Sequence, residues 1–120
     1  MAPTAPARTP INVATNTALR PIPVAGNAGD LAITPNGKTV YVLTGLDAVT
    51  PIRTATNTAL RPIPAAAGFG KIAITPSGAT AYVTSDLPGL VTPIKTASNT
   101  ALTPISVQPN PYAIAIAVVP

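Results

Sequence analysis

Asp30, Asp47 and Asp86 are the only acidic side chains in the 120-residue chain, and histidine, cysteine and glutamate are absent. This removes the imidazole, thiolate and glutamate groups that carry most general acid–base, nucleophilic and metal-binding chemistry. A calcium site needs six to eight oxygens, several of them from carboxylates. Asp47 and Asp86 precede equivalent Thr-Pro-Ile segments, whereas Asp30 falls in a different column, aligned with Lys71 and Ala113. They read as solvated or hydrogen-bonded loop residues. No catalytic, cofactor-binding or metal-binding residue is expected.

Seven basic residues leave a net charge of +4. Arg20 recurs as Arg61, and Arg53 recurs as Lys95, at matching places in a repeated segment. Two such columns can form a positive stripe that contacts a polyanion. Duplicated surface solubility explains the same pattern, and with four aromatic residues in the chain there are few platforms on which bases could stack. Nucleic acid is therefore disfavoured as a partner. Gly68-Phe69-Gly70 is not a phosphate loop, because no Lys-Ser/Thr and no helix follows it.

The elements that position these residues come from a segment present three times. Thr-Pro-Ile-x-x-Ala-Thr/Ser-Asn-Thr-Ala-Leu starts at Thr9, Thr50 and Thr92, with a period of 41 to 42 residues. A period of this size marks stacked copies of one supersecondary unit. Residues 1–8 form a Pro/Ala tail read as a flexible lead-in, and residues 9–120 carry the repeats. Within a copy, Pro10–Val13 and Ala18–Val24 read as antiparallel strands around a turn in which Asn16 takes a left-handed conformation. Leu31 and Ile33 share one face of the next strand. Thr34-Pro35-Asn36-Gly37 then turns the chain, Gly37 supplying positive φ, into a strand in which Val40 and Val42 alternate with Tyr41. Ile72, Ile74, Pro76, Gly78 and Tyr82 repeat these columns, and Ile114 and Ile116 repeat the first two. The unit is four short strands. Prolines recur too often for an amphipathic helix to fit between them.

Sixteen prolines and eight glycines would suit a disordered chain, but β-branched apolar runs at fixed spacing do not. With 47% apolar residues and only ten charged ones, the core must be built from Ala, Val, Ile and Leu. The longest apolar stretch, Tyr112 to Val119, is far shorter than the ~20 residues of a membrane helix, and the first eight residues have no apolar core of a secretory signal. The compartment is not fixed by these residues.

The series Thr-Pro-Asn/Ser-Gly-x-Thr-x-Tyr-Val-x-Thr/Ser, followed by Thr-Pro-Ile and Pro-Ile-Pro, resembles the YVTN-type β-propeller repeat, with about 2.7 copies over Thr9 to Ile116. Tyr41-Val-Leu-Thr44 and Tyr82-Val-Thr-Ser85 stand where that family has its signature and depart from it at the last position. The Ala/Pro/Thr-rich composition is similar to versions from actinobacteria. The resemblance implies an all-β fold of four-stranded antiparallel blades, two of them full and parts of a third, open unless oligomeric. It places Ile and Leu of the inner strand against one neighbouring blade and Ala against the other, packs Tyr41 and Tyr82 between blades, and puts Phe69 in a loop over one end of the channel. Pro21, Pro62 and Pro104 fall on the outer edge strand, where a missing N–H is tolerated, and Pro10, Pro51 and Pro93 on the strand beside it, where an interrupted ladder or bulge is expected.

The expected function is a non-enzymatic scaffold that binds a protein or ligand. Enzymes of similar repeats, lactonase-like or quinoprotein-like, and the haem-bearing domain of nitrite reductases use channel His, Glu or Asp ligands that cannot be matched here residue by residue. An enzymatic role would require this chain to be a fragment or degenerate member of a longer propeller. Weak single-stranded nucleic-acid binding through Arg20, Arg53, Arg61 and Lys95 is a third reading. Closure is expected by self-association or by further blades, preferably as a dimer of about six blades in which the strand at 112–116 joins a partner's N-terminal hairpin.

Overall fold

A computed structural model of the chain describes residues 6–45, 47–65, 70–86 and 88–117. Fourteen short strands and no helix occur among them. The first four, β1 (Ala7–Arg8), β2 (Ile11–Asn12), β3 (Thr17–Ala18) and β4 (Ile22–Pro23), form half a blade. In it β2 pairs with β3, and β1 with β4. The first full blade contains β5 (Ala28–Ile33), β6 (Thr39–Thr44), β7 (Ala48–Arg53) and an outer strand broken into β8 (Thr58–Ala59) and β9 (Ile63–Pro64). The second repeats it with β10 (Ile72–Ile74), β11 (Thr80–Ser85), β12 (Leu90–Lys95), β13 (Thr100–Ala101) and β14 (Ile105–Ser106). All pairings are antiparallel. Two four-stranded blades and an outer half-blade result, open at both ends among the described residues.

Turn chemistry fixes this layout. Asn16, Asn57 and Asn99 take φ of 54°, 51° and 52° at the same place in the three outer hairpins, and Gly37 and Gly78 take 74° and 79° in the two inner ones. The outer hairpins share their bonds as well. Leu19, Leu60 and Leu102 each donate a backbone N–H to the carbonyl of Pro10, Pro51 or Pro93 at 2.8–2.9 Å. Inner and outer hairpins of a full blade are then latched together: Thr54 Oγ1 donates to the Gly37 carbonyl at 2.7 Å, and Thr96 Oγ1 to that of Gly78 at 2.5 Å. The half-blade has Val13 in this column, fully out in solvent.

The prolines of the third strand do not break its inner ladder. Tyr41 pairs with Pro51 and Tyr82 with Pro93 in continuous register. Each proline directs its polar backbone outward, with its carbonyl accepting from the outer strand, so the missing N–H falls on that side. The ladder is interrupted there instead, where Pro62 and Pro104 separate the two pieces of each outer strand. A register shift lies in the β5–β6 ladder, between Ala28 and Leu31.

Two sequence expectations shift. Ala7 and Arg8, assigned to the lead-in, pair with Pro23 and Ile22, so the repeat unit begins earlier than Thr9. Residues 112–116, expected to form a strand, form no ladder, because no neighbour pairs with them among the described residues. Their column also begins with Tyr112, 79% exposed, where the full blades have Gly29 and Gly70. Phe69 lies outside the described residues.

Gly29 and Gly70 mark the closest approach of the two inner strands. A Cβ on Gly29 would sit 2.6 Å from the Leu43 carbonyl oxygen, and one on Gly70 would be driven into the Thr84 carbonyl. Thr84 Oγ1 in turn accepts the Lys71 N–H at 2.8 Å. Gly70→Ala is expected to cost ~3 kcal/mol by forcing these strands apart. An unchanged urea midpoint would show that the strands separate freely.

Candidate functional site

Side chains alternate across each strand, so every full blade has two packing faces. Val40, Val42 and Ile52 of the first blade pack on Ile22 and Val24 of the half-blade. Tyr41, Leu43 and Val49, on its other face, pack on Ile72, Ala81, Val83 and Ile94 of the second blade. Large side chains from one blade thus meet Ala81 and the β-branched residues of the next, filling the gap without aromatic pairs.

One polar bond fixes the register of the full joint. Tyr41 is 1% exposed, and its hydroxyl donates to Asn99 Oδ1 of the next blade at 2.6 Å. The left-handed conformation of Asn99 that closes the outer turn also aims its amide at the neighbouring blade. A second bond crosses the joint near the inner strands, from the Ile72 N–H to Asp30 Oδ2 at 3.0 Å. Asp30 is therefore a joint residue and not part of a cation cluster. Among the described residues no group of His, Cys, Asp or Glu could hold a metal ion. The asparagine's role was legible only as a turn former, because the tyrosine it bonds lies 58 residues away in the sequence.

On the rim, each joint opens a groove of the same composition. Leu19, Arg20, Pro21, Ile22 and Pro23 face Thr56 and Asn57 across about 490 Å³, and Leu60, Arg61, Pro62, Ile63 and Pro64 face Ser98 and Asn99 across about 550 Å³. Arg20 and Arg61 thus occupy equivalent places one blade apart. Arg53 and Lys95 end β7 and β12, paired with Thr39 and Thr80. All four are exposed, and among the described residues no ion pair holds them. They form two columns repeated along the stack, not one cluster. The third copy ends the rim column, with Thr103 where Arg20 and Arg61 stand.

No family model and no curated protein matches the sequence. Solved structures do match the folded chain. Hydrazine synthase of Kuenenia stuttgartiensis superposes with a TM-score of 0.82 at 22% identity, over 88% of this chain and 31% of that one. AztD of Citrobacter koseri superposes with a TM-score of 0.75 in two structures, at 17% and 16% identity, over 87% of this chain and 30% of each of those. The fold is of the β-propeller type. The chain spans about a third of the length of the structures it matches, and identities this low carry the architecture alone.

Tyr41 gives this joint a pH signature. Burial pushes its phenol above the ordinary tyrosine value, near 10, and only the neutral phenol can donate to Asn99. Below that value the residue is protonated in both states, and its contribution to stability is complete. Above it the unfolded chain releases the proton first, so stability falls as pH rises toward and through the folded pKa. The melting temperature of the wild-type chain is expected to drop more steeply above pH 10 than that of Tyr41→Phe. At neutral pH the same variant should be less stable by about 1 kcal/mol, the usual net worth of one such bond. Parallel pH profiles of the two proteins would show no role for this phenol.

Proposed function

We propose that the chain is a YVTN-type propeller repeat protein that acts as a non-catalytic scaffold and binds a protein or ligand along the rim of its stacked blades. The observation that carries this reading is the repetition of the rim groove: leucine, arginine and a Pro-Ile-Pro segment face an asparagine at each joint. Repeat proteins bind extended partners by presenting equivalent positions at a fixed step along the stack. The Pro-Ile-Pro walls are rigid and lose little conformational entropy on contact, while each arginine offers a fixed fork of donors to an acceptor on the partner.

A peptide library selected on the immobilised chain tests this reading. Selected peptides should lose at least tenfold in affinity for a chain carrying both Arg20→Ala and Arg61→Ala. Peptides that bind this variant equally well would move the site elsewhere.

Contact with a polyanion through Arg20, Arg53, Arg61 and Lys95 is a narrower form of the same proposal, supported by the exposure of all four. With one phosphate neutralised per residue, the log of the affinity for a single-stranded oligonucleotide should fall with the log of salt at a slope of about −3, and alanine at all four positions should abolish binding. Salt-insensitive binding, or none, removes this form and leaves the scaffold reading.

The alternative reading, a piece of a propeller enzyme, is supported by the length relation to the matched structures, one of them a synthase by name. A longer form of the protein whose additional blades supply His or Glu to the channel would favour it.

A further inference from the structure

Equivalent positions in the two full blades have different surroundings. Ile72 is 7% exposed, covered by the first blade, while Leu31 and Ile33 on the equivalent strand are 52% and 55% exposed. The half-blade covers only the outer part of this face. Beside it lies an apolar cleft of about 340 Å³ lined by Arg8, Pro10, Ile11, Leu31, Val40, Val42, Ile52, Thr54 and Asn57, among others.

The repeat shows what such a cleft holds. Val40, Val42, Ile52, Thr54 and Asn57 are the counterparts of Ala81, Val83, Ile94, Thr96 and Asn99, and at the full joint Tyr41 packs in the same cluster as Ala81, Val83 and Ile94, shares a pocket wall with Thr96 and bonds Asn99. Tyr41 is brought there by the inner hairpin of β5 and β6, whose second strand pairs along β7. In the half-blade the counterpart of β7 is the run through β1 and β2, and among the described residues its inner edge has no partner. Arg8, on this edge, has a buried Nε without a hydrogen-bond acceptor.

We propose that the cleft is an acceptor for a tyrosine-bearing β-hairpin with the sequence pattern of residues 71–85, supplied by another polypeptide segment. The hairpin pairs with the free edge of β1 and β2 and covers Leu31 and Ile33. Its tyrosine enters the cleft, and the hydroxyl donates to Asn57 Oδ1. A complete blade is excluded as the occupant, because the half-blade already fills the outer part of that position. The tyrosine–asparagine bond sets the register, since a slip of one residue turns the ring to the opposite face of the sheet. The cleft adjoins the first rim groove and shares Ile22 and Asn57 with it, but it lacks that groove's Arg20, so Arg20→Ala with Arg61→Ala should leave occupancy of the cleft unchanged.

The test uses the intact chain and a fluorescently labelled synthetic peptide with the sequence of residues 70–86. Saturable binding is expected, with little dependence on salt because the contact is apolar. Leu31→Asp with Ile33→Asp should abolish it; both positions are exposed, and circular dichroism checks that the variant folds. Asn57→Gly keeps the positive φ of the turn and removes the acceptor, and should weaken binding about fivefold. A peptide with phenylalanine in place of its tyrosine should lose the same factor against the wild-type chain and nothing further against Asn57→Gly. Absence of binding, binding indifferent to the paired aspartates, or losses from Asn57→Gly and the phenylalanine peptide that simply multiply would each overturn the proposal.

Discussion

The first full blade of this protein is apolar on both faces, and that constraint governs the rest of the structure. An antiparallel sheet in a two-layer protein can leave one face to water. Here Val40 and Val42 on one side, and Tyr41 and Leu43 on the other, require a partner on each. A blade is therefore a subunit of packing that cannot be satisfied alone, and stacking is the only arrangement that covers it. The low charge of the chain follows from the same cause, because a face that meets another blade has no room for unpaired ions. Arg20, Arg61, Arg53 and Lys95 lie exposed, and Asp30, which does stand at the joint, is held there by the Ile72 N–H.

Apolar burial does not by itself fix how blades align, since small aliphatic side chains pack acceptably in several registers. The Tyr41–Asn99 bond supplies the missing specificity. Its donor is buried among aliphatics, where an unsatisfied hydroxyl is costly, so misaligned joints are penalised more than the aligned joint is favoured. The asparagine is held by a backbone conformation that few other residues adopt without strain. Two demands that look independent in the sequence, a turn former and a hydrogen-bond acceptor, are met by one residue.

Much of the fold was legible in the sequence because the repeat reports local geometry several times over. Period, Asn and Gly turn positions and alternating columns agreed, and the blade count followed from them. What was not legible depended on neighbours. Pro51 and Pro93 led to the expectation of an interrupted ladder or a bulge on the third strand, but not on which side of it, because sequence does not reveal toward which strand a backbone N–H points; the structure turns both outward and keeps the inner register continuous. Leu31 and Ile72 look interchangeable as letters and differ sharply in exposure, because burial is a property of the joint. The residues singled out for charge, Arg20 and Arg61, were placed correctly in one column. The groove around them was invisible, since its second wall comes from the following copy.

The same dependence explains why the rim and the cleft must be treated as different kinds of surface. A rim groove is complete: both walls are present, its asparagine is part of a finished turn, and whatever enters adds to a satisfied structure. The cleft beside β1 and β2 is the reverse: among the described residues its strand edge has no partner and a buried guanidinium nitrogen has no acceptor, and its aliphatic side chains lie half in water. Strand edges of this kind pair with other chains unless something blunts them. The prolines that blunt the outer strands do not protect this edge, because Pro10 directs its polar backbone toward β3 and leaves the opposite side open. A ligand for the rim must compete with water for arginine and proline, whereas an occupant of the cleft satisfies groups that have no partner among the described residues.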